Sequence, residues 1–201
     1  MNTSVFVAAL LACLPLSGAI SLAQDSMSPA TQPSTEPSSV PPVLRFTMKS
    51  LAGNDVDLAQ YQGKVLLIVN TASKCGYHPQ FAPMEALHEK YSAQGLEVLG
   101  FPENDFKNQE PLSDADISTF CTTQYGVKFD MFSKIDVIGP NICPLYQYLT
   151  THCPDPGDVK WNFEKFLVAR NGDIVARYRS KVTPDSPEVI AAIEAELAKS
   201  N

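Results

Sequence analysis

One stretch of the sequence, Val65–Pro79, constrains the fold more than any other. Its first five residues are apolar and largely β-branched, which is the pattern of a strand buried on both faces. Pro79 suits the first turn of a helix, and apolar residues recur at spacings of three and four through Pro79–Ala93. Cys75 therefore lies between a buried strand and a helix N-terminus, where unpaired N–H groups and the helix dipole favour a thiolate. With Lys74 beside it, Cys75 is predicted to be a nucleophile.

Beyond this stretch the sequence predicts alternating strands and helices. The strands are predicted at Val43–Leu51, Val56–Leu58, Val65–Val69, Leu96–Phe101, Lys134–Ile138, Phe163–Ala169 and Ile174–Tyr178, the last two joined by a type I′ turn at Asn171-Gly172. The helices are predicted at Pro79–Ala93, at Asp114–Tyr125 with Ser113 as N-cap, at Pro144–His152 and at Pro187–Lys199. Parallel strands joined by helices, followed by an antiparallel hairpin, make a mixed central sheet with helices on both faces. With a reactive cysteine at the first strand-to-helix turn, this pattern indicates an α/β, thioredoxin-like fold.

The first 23 residues are predicted to be a signal peptide rather than part of the fold. Val5–Leu22 is almost wholly apolar or small, and Ser21-Leu22-Ala23 resembles a cleavage site. Two alternatives remain, which are lipidation at Cys13 within a lipobox-like sequence and an uncleaved anchor. In each case the chain is exported, so we expect a periplasmic or secreted protein, tethered to a membrane through its N-terminus if the anchor or the lipid is retained.

Residues 24–42 are predicted to be a disordered linker, and Val43–Asn201 one globular domain. The linker contains five prolines, many Ser and Thr residues and no aromatic residue, so it cannot bury enough apolar surface to order itself. The formal net charge is −7, and Lys and Arg form no clusters. This distribution argues against nucleic acid or an anionic membrane as the main partner.

The cysteines and histidines do not predict a metal site, and no cofactor is expected. The domain contains no Cys-x-x-Cys, and His78, His88 and His152 form no ligand cluster. Export permits disulfides among the four cysteines of the domain. Cys143 and Cys153 flank one short helix, which leaves two interpretations: two free, partly buried thiols, or a bridge that requires the helix to end early.

Three loops are expected to meet at the carboxyl ends of the strands, where functional groups gather in open α/β sheets. These loops carry Cys75, then Asn104 and Gln109, then Trp161 and Asn162. Amide and indole N–H groups are uncharged donors that can stabilise a thiolate and hold a polar oxidant against it. The loops supply neither an acid/base pair for hydrolysis nor a Gly-rich phosphate loop. Attack on a peroxide needs mainly an ionised sulfur and donors for the leaving oxygen.

Three motifs in the same order resemble those of the glutathione peroxidase family. The motifs are Gly63-Lys64-Val65-Leu66-Leu67-Ile68-Val69-Asn70 with Ala72-Ser73-Lys74-Cys75-Gly76, then Leu99-Gly100-Phe101-Pro102 with Asn104, Phe106 and Gln109-Glu110-Pro111, then Trp161-Asn162-Phe163-Glu164-Lys165-Phe166-Leu167. The resemblance covers nearly the whole domain, and it implies a peroxidase with the catalytic tetrad Cys75, Gln109, Trp161 and Asn162. Hydrogen peroxide or an organic or lipid hydroperoxide would oxidise Cys75, a cysteine rather than a selenocysteine, to sulfenic acid.

The resemblance also implies the route by which the enzyme is recycled. The segment around Cys121 is similar to the resolving-cysteine segment of the non-selenium, thioredoxin-dependent branch. Cys121 would attack the sulfenic acid on Cys75, and a thioredoxin-like protein would reduce the resulting disulfide. Glutathione fits less well, because no Arg flanks Cys75. The lack of a tetramer-type insertion between Asp158 and Trp161 suggests a monomer with an open site that admits lipid hydroperoxides.

Two positions depart from the family pattern. Glu103 stands where the second motif often carries Cys, which removes one alternative resolving thiol. His78 stands where Thr is usual, and either helps to hold the thiolate or is a solvated loop residue. Asn104 and Lys74 are candidates for supporting roles, although Asn104 can also simply shape its loop.

Two other functions remain open on the sequence alone. One is a thiol-disulfide oxidoreductase that uses Cys75, against which the missing Cys-x-x-Cys counts. The other is a redox relay in which oxidised Cys75 passes its disulfide to a partner protein and peroxide turnover is secondary.

Overall fold

The computed structural model describes residues 39–199. The predicted signal peptide, the alternative lipidation site at Cys13 and the linker up to residue 38 lie outside the described residues. The last linker residues are described: Val40 packs against the core, and Pro42–Leu44 forms a 3-10 turn. The folded chain therefore begins before Val43.

Seven strands and four α-helices make up this part of the chain. The strands are β1 Thr47–Lys49, β2 Asp55–Asp57, β3 Val65–Thr71, β4 Leu96–Pro102, β5 Asp130–Met131, β6 Lys165–Val168 and β7 Ile174–Tyr178. The helices are α1 Phe81–Tyr91, α2 Asp114–Tyr125, α3 Pro144–His152 and α4 Pro187–Leu197. β1 and β2 form an antiparallel hairpin, and the other five strands form one sheet in the order β5-β4-β3-β6-β7. β3 and β5 run parallel to β4, whereas β6 is antiparallel to β3 and β7, so the predicted mixed sheet is confirmed.

The central strand β3 divides the core in two, and every one of its residues is buried. Leu66 and Ile68 face the side covered by α3, while Val65, Leu67 and Val69 face the side covered by α1, α2 and α4. Full burial of one such aliphatic side chain contributes roughly 1.5–3 kcal/mol. The continuous apolar run thus packs against helices on both faces, as the sequence predicts.

The predicted third strand, Lys134–Ile138, is wrong. The edge strand is β5, two residues long, whose Asp130 and Met131 pair with Leu99 and Gly100. In the predicted segment the amides of Val137 and Ile138 donate instead to the carboxylate of Asp105, at 2.7 and 3.2 Å. A side chain from the loop that follows β4, distant in sequence, therefore satisfies the N–H groups that a sheet ladder would have used.

The hairpin between β6 and β7 is confirmed, but its predicted type I′ turn is wrong. A type I′ turn needs positive φ at both central residues, and here Gly172 (φ 90°) has a positive value while Asn171 does not. Ala169 N donates to Asp173 O at 2.8 Å and Gly172 N to Ala169 O at 2.9 Å, which makes a three-residue connection. Asn171 uses its amide to bond Asp173, so its side chain serves the turn without a left-handed backbone.

The helices follow the predicted pattern with small shifts at their ends. α2 begins as predicted, with the Ser113 hydroxyl accepting from Asp116 N. The predicted helix from Pro79 is split, because a 3-10 turn over His78–Gln80 precedes α1. This turn places the start of the helical region directly after the Cys75 loop.

Candidate active site

The Cys75 side chain lies in a tight turn after β3 and is almost fully enclosed, with 1% of its surface exposed. Cys75 N donates to Ala72 O at 3.3 Å, and His78 N donates to Cys75 O at 2.9 Å. The sulfur accepts one hydrogen bond, from Tyr77 N at 3.5 Å. The donor at the sulfur is therefore a backbone amide of the turn that leads into the helix, which agrees with the placement inferred from the sequence.

The second predicted loop is tied to the Cys75 loop by hydrogen bonds at two points. Lys74 N donates to Gln109 O at 2.9 Å. Ser73 donates both its amide (2.8 Å) and its hydroxyl (2.6 Å) to the buried carboxylate of Glu110. Lys107 and Asn108 both have positive φ, 56° and 52°, so the turn before Gln109 is held in a conformation that costs about 1–3 kcal/mol per residue.

Asn104 and Lys74, the two candidates for support, contact other groups than the sulfur. Asn104 donates to Asn108 Oδ1 at 3.3 Å and accepts from Glu110 N at 2.8 Å, so it shapes its own loop. The Lys74 side chain is exposed, and its ammonium lies 6.0 Å from the centre of the Phe120 ring on α2. Only the backbone of Lys74 joins the site.

The third predicted loop brings Asn162 against Gln109. Asn162 is completely buried, and its Nδ2 donates to Gln109 Oε1 at 2.9 Å. Its Oδ1 is buried and accepts no hydrogen bond from the described residues. The structure thus joins two members of the predicted tetrad and leaves one buried acceptor unpaired.

Trp161 is half-buried and packs on the apolar cluster that contains Cys75. Its ring centre lies 5.5 Å from that of Phe106, and the Lys107 ammonium lies 5.5 Å above it. None of the hydrogen bonds found within residues 39–199 runs from Gln109, Trp161 or Asn162 to the Cys75 sulfur. The four predicted residues share one region, but only Gln109 and Asn162 are bonded directly through their side chains.

A cleft of about 570 Å³ opens beside Trp161. It is lined by Tyr77, Lys160, Trp161, Glu164, Arg179, Ser180 and Lys181. Lys160 and Lys181 are exposed, whereas Arg179 is bound to Glu164 at 2.9 Å and also pairs with Asp155. Because Tyr77 both lines this cleft and donates its amide to the Cys75 sulfur, the cleft and the sulfur meet at that residue.

Cys121 is also enclosed, with 2% of its surface exposed, and lies in the same apolar cluster as Cys75. Burial and the nearby Glu110 carboxylate raise the pKa of the Cys121 thiol to about 12. Both cysteines are free thiols in this structure, and α2 is intact around Cys121. Cys121 is therefore a protonated, protected thiol in this conformation.

His78 joins the Cys75 loop to α2. Its Nδ1 hydrogen-bonds with the Tyr125 hydroxyl, and its ring meets Phe120 and Tyr125 edge-on. The sequence predicts that His78 either helps to hold the thiolate or is a solvated loop residue. Neither prediction describes this arrangement, because the ring is half-buried against α2.

Sequence reasoning missed the buried polar residues that hold the loops. Asn70 bonds the backbone of residues 161–164, and Glu103, Glu110 and Glu164 are each at most 1% exposed. Glu164 binds Arg177 through Oε2, at 3.0 and 2.8 Å, and accepts from Lys160 N at 2.7 Å. One sequence feature could have indicated such a residue: the polar Asn70 directly follows the apolar run that ends at Val69.

The remaining cysteines lie on the far side of the sheet. Cys143 and Cys153 are separate, buried thiols at the two ends of α3, in the core that α3 covers. Within the described chain, no group of three or more His, Cys, Asp and Glu residues is arranged to hold a metal ion. No helix between residues 39 and 199 is both long and apolar enough to cross a lipid bilayer.

Comparisons with known proteins show which family this chain resembles. The glutathione peroxidase family model matches residues 43–150. A glutathione peroxidase homolog of Bacillus subtilis, BsaA, is 48% identical over 149 residues, which cover 73% of this chain and 93% of the relative. A hydroperoxy fatty acid reductase of Synechocystis is 46% identical over 157 residues, which cover 74% of this chain and 92% of the relative.

Solved structures show the same fold. The crystal structure of T. cruzi GPX1 is 31% identical, has a TM-score of 0.63, and matches 79% of this chain and 98% of its own. A thiol:disulfide interchange protein of the thioredoxin family from Chlorobium tepidum has a TM-score of 0.58 at 14% identity, which covers 76% of this chain and 93% of its own. The fold is thus thioredoxin-like, as predicted. With the three motifs in order, the family model and the near-complete relatives in agreement, this chain belongs to the glutathione peroxidase family, as a peroxidase with cysteine at the first motif.

Proposed function

We propose that Cys75 is the peroxidatic residue and that Gln109, Trp161 and Asn162 assist it. The Cys75 thiolate attacks one oxygen of a hydroperoxide, the O–O bond breaks, and Cys75 becomes a sulfenic acid. The other oxygen leaves with a proton as water or an alcohol. The single observation that carries this proposal is the hydrogen bond between the buried Asn162 amide and the Gln109 amide, beside the Cys75 loop. Its unpaired acceptor, Asn162 Oδ1, suits the O–H donor of a hydroperoxide.

We propose further that Cys121 resolves the sulfenic acid. The Cys121 sulfur attacks the Cys75 sulfur, a disulfide forms, and the sulfenic oxygen leaves as water. A thioredoxin-like dithiol protein then reduces the disulfide by exchange. Since Cys121 is enclosed and its pKa is raised to about 12, part of α2 must open before this step. A disulfide needs Cα atoms about 5.5–6 Å apart.

The cleft beside Trp161 supports an organic hydroperoxide as substrate. Most of the surface that its lining residues expose belongs to apolar atoms, and the exposed Lys160 and Lys181 border the cleft. An apolar chain with an acidic end fits this combination of surface and charge. The relative from Synechocystis that is named a hydroperoxy fatty acid reductase supports the same substrate class for this chain.

We propose that the protein acts outside the cytoplasm, as a monomer. The apolar leader at Val5–Leu22 supports export. Mass spectrometry of the mature N-terminus distinguishes cleavage after Ala23 from lipidation at Cys13 and from retention of the leader. A dithiol reductant must then be present in the same compartment.

Replacing Cys121 with Ser tests the resolving step. We expect thioredoxin-driven turnover to stop after one event, because the sulfenic acid on Cys75 no longer finds its partner thiol. Oxidation of Cys75 by one equivalent of peroxide, followed by mass mapping, should stay intact. Cys143→Ser is the matched control, since Cys143 is a buried thiol in the α3-side core, and it should turn over normally.

Two outcomes would contradict the proposal. Normal cycling of Cys121→Ser with thioredoxin would exclude Cys121 as the resolving residue. A wild-type protein that consumes peroxide only stoichiometrically, with thioredoxin and with glutathione, would instead indicate a redox relay.

A further inference from the structure

Asn70 is the point at which the third loop is fastened to the sheet. Its side chain donates to Trp161 O at 3.1 Å and accepts from Glu164 N at 2.9 Å. Its backbone carbonyl accepts from Phe163 N at 2.7 Å. Phe163 has φ 63°, a left-handed conformation that these contacts help to hold. The positions of Trp161 and Asn162 therefore depend on the orientation of one buried amide.

Glu103 sets that orientation. Its carboxylate is completely buried at the end of β4, and Oε1 accepts from Asn70 Nδ2 at 3.2 Å. Its other oxygen, Oε2, accepts from Asp105 N at 2.7 Å. Because both oxygens face N–H donors, the ionised form satisfies both contacts. A proton on either oxygen would point at the N–H group that this oxygen accepts from, and that hydrogen bond would be lost.

The surroundings of Glu103 shift its protonation close to neutral pH. Burial is the main cause that raises its pKa, to about 7, and the charge of Asp105 adds to it. Two further titratable groups belong to the same buried network. They are the enclosed Tyr146 hydroxyl on α3, whose pKa is raised by burial and by the Glu103 charge, and the Glu164 carboxylate across Asn70.

We propose that Glu103 is a positioning residue of the peroxidase site, which acts through Asn70 to hold the Trp161–Asn162 segment in its reactive arrangement. The inference rests on the proposed roles of Trp161 and Asn162. Ionised Glu103 keeps the Asn70 amide directed at Trp161 O and Glu164 N. Protonation of Glu103 on Oε1 removes the contact with the Asn70 amide, and residues 161–164 lose part of their anchor.

Trp161 is the only tryptophan of the chain, so its fluorescence reports the position of this segment directly. The first measurement is a pH titration of that fluorescence in Cys75→Ser, a background without the ionisable sulfur. We expect a transition with a midpoint near 7, which Glu103→Gln abolishes. Lys165→Met is the control, because Lys165 is buried with a pKa lowered to about 7, and its loss should leave the transition in place.

The second measurement is the rate of Cys75 oxidation by peroxide, in single turnover, between pH 6 and 8. The ratio of the wild-type rate to the Glu103→Gln rate should change about fivefold across this range, the equivalent of one hydrogen bond. If Glu103→Gln does not fold, the wild-type fluorescence titration still tests the proposal, and a flat response between pH 5.5 and 8.5 overturns it.

The outcomes separate this inference from the proposed function. A fluorescence transition that persists in Glu103→Gln overturns the role of Glu103. A transition that disappears while the rate ratio stays constant shows that Glu103 moves Trp161 without affecting catalysis, which also overturns it. Failure of Cys75 to react with any peroxide would overturn the proposed function alone, since the fluorescence titration does not depend on turnover.

Discussion

At the scale of single residues, the enclosure of the Cys75 sulfur determines what a peroxide must do to reach it. Within residues 39–199 the sulfur accepts a single hydrogen bond, from Tyr77 N, and Tyr77 also lines the cleft beside Trp161. Next to Trp161 in the chain, the buried Asn162 amide is bonded to the half-buried Gln109 amide. These neutral groups are already oriented, so little reorganisation is needed as charge develops on the leaving oxygen.

Replacing Asn162 with Ala should slow the oxidation of Cys75 about tenfold or more, because the buried amide that is proposed to bind the hydroperoxide is lost. The measurement is the second-order rate constant for hydrogen peroxide in single turnover. Gln109→Ala and the double variant complete a cycle, and the double variant should lose less than the product of the two single losses, since the residues are bonded. An unchanged rate in Asn162→Ala would contradict this role.

At the scale of secondary-structure elements, α2 keeps Cys121 enclosed, and its contacts with the Cys75 loop hold it in place. The C-terminal end of α2 is fastened to that loop by the His78–Tyr125 hydrogen bond. The aromatic rings of Phe81 and Phe120 pack against each other beside this hydrogen bond, with centres 6.3 Å apart. The opening of α2 that the proposed Cys75–Cys121 disulfide requires therefore has to break an aromatic cluster as well as helical hydrogen bonds.

Tyr125→Phe should speed the formation of the Cys75–Cys121 disulfide about fivefold, because it removes one hydrogen bond that holds α2 closed. The rate of Cys75 oxidation should not change. Quenched-flow mass spectrometry after one equivalent of peroxide measures both steps. Ser113→Ala is the matched control, since it removes the cap at the opposite end of α2 at a cost of about 1 kcal/mol and should leave the rate of disulfide formation nearly unchanged. Equal effects of the two variants would contradict a specific role for Tyr125.

At the scale of the whole molecule, two buried ionisable residues lie on opposite sides of the sheet. Glu103 is bonded to Asn70 and enclosed near Tyr146, on the side that α3 covers. Lys165 pairs in register with Val69, which faces the other side, and its Nζ donates to Phe163 O at 2.6 Å. Burial disfavours the charged form of both, so it raises the pKa of Glu103 to about 7 and lowers that of Lys165 to about 7.

Compared with a domain in which neutral residues replace both groups, Glu103 and Lys165 together lower the free energy of unfolding most near pH 7. Glu103 lowers the free energy of unfolding progressively as the pH rises from 4.5 to about 7. The reason is that the unfolded chain loses this carboxyl proton at a lower pH than the folded chain does. Lys165 costs most below about pH 7, and this cost declines as pH rises towards 10.5. Glu103→Gln should therefore stabilise the domain more at pH 8 than at pH 5, and Lys165→Met more at pH 6 than at pH 10. Urea unfolding at these pH values measures both, and a pH-independent difference in either variant would contradict the assignment.

The sequence predicts the fold where local pattern and tertiary context agree, as in the apolar run of β3 and the Ser113 cap of α2. It fails at Lys134–Ile138, because the Asp105 carboxylate that satisfies the backbone amides there belongs to a distant loop. It predicts that Cys75, Gln109, Trp161 and Asn162 lie together. In the structure Asn162 is bonded to Gln109, and Trp161 packs on the cluster that contains Cys75. It does not predict Asn70 and Glu103 as supports, because a buried polar residue is explained only by partners that folding brings together.

The described chain enters the domain at the end of the sheet opposite Cys75. Gln62, just before β3, donates to Ser39 O at 3.2 Å, whereas Cys75 follows the other end of that strand. The seven residues of β3 separate the two ends by about 20 Å. A group attached at Ser39 would therefore lie about one strand length away from the thiol and would not cover it.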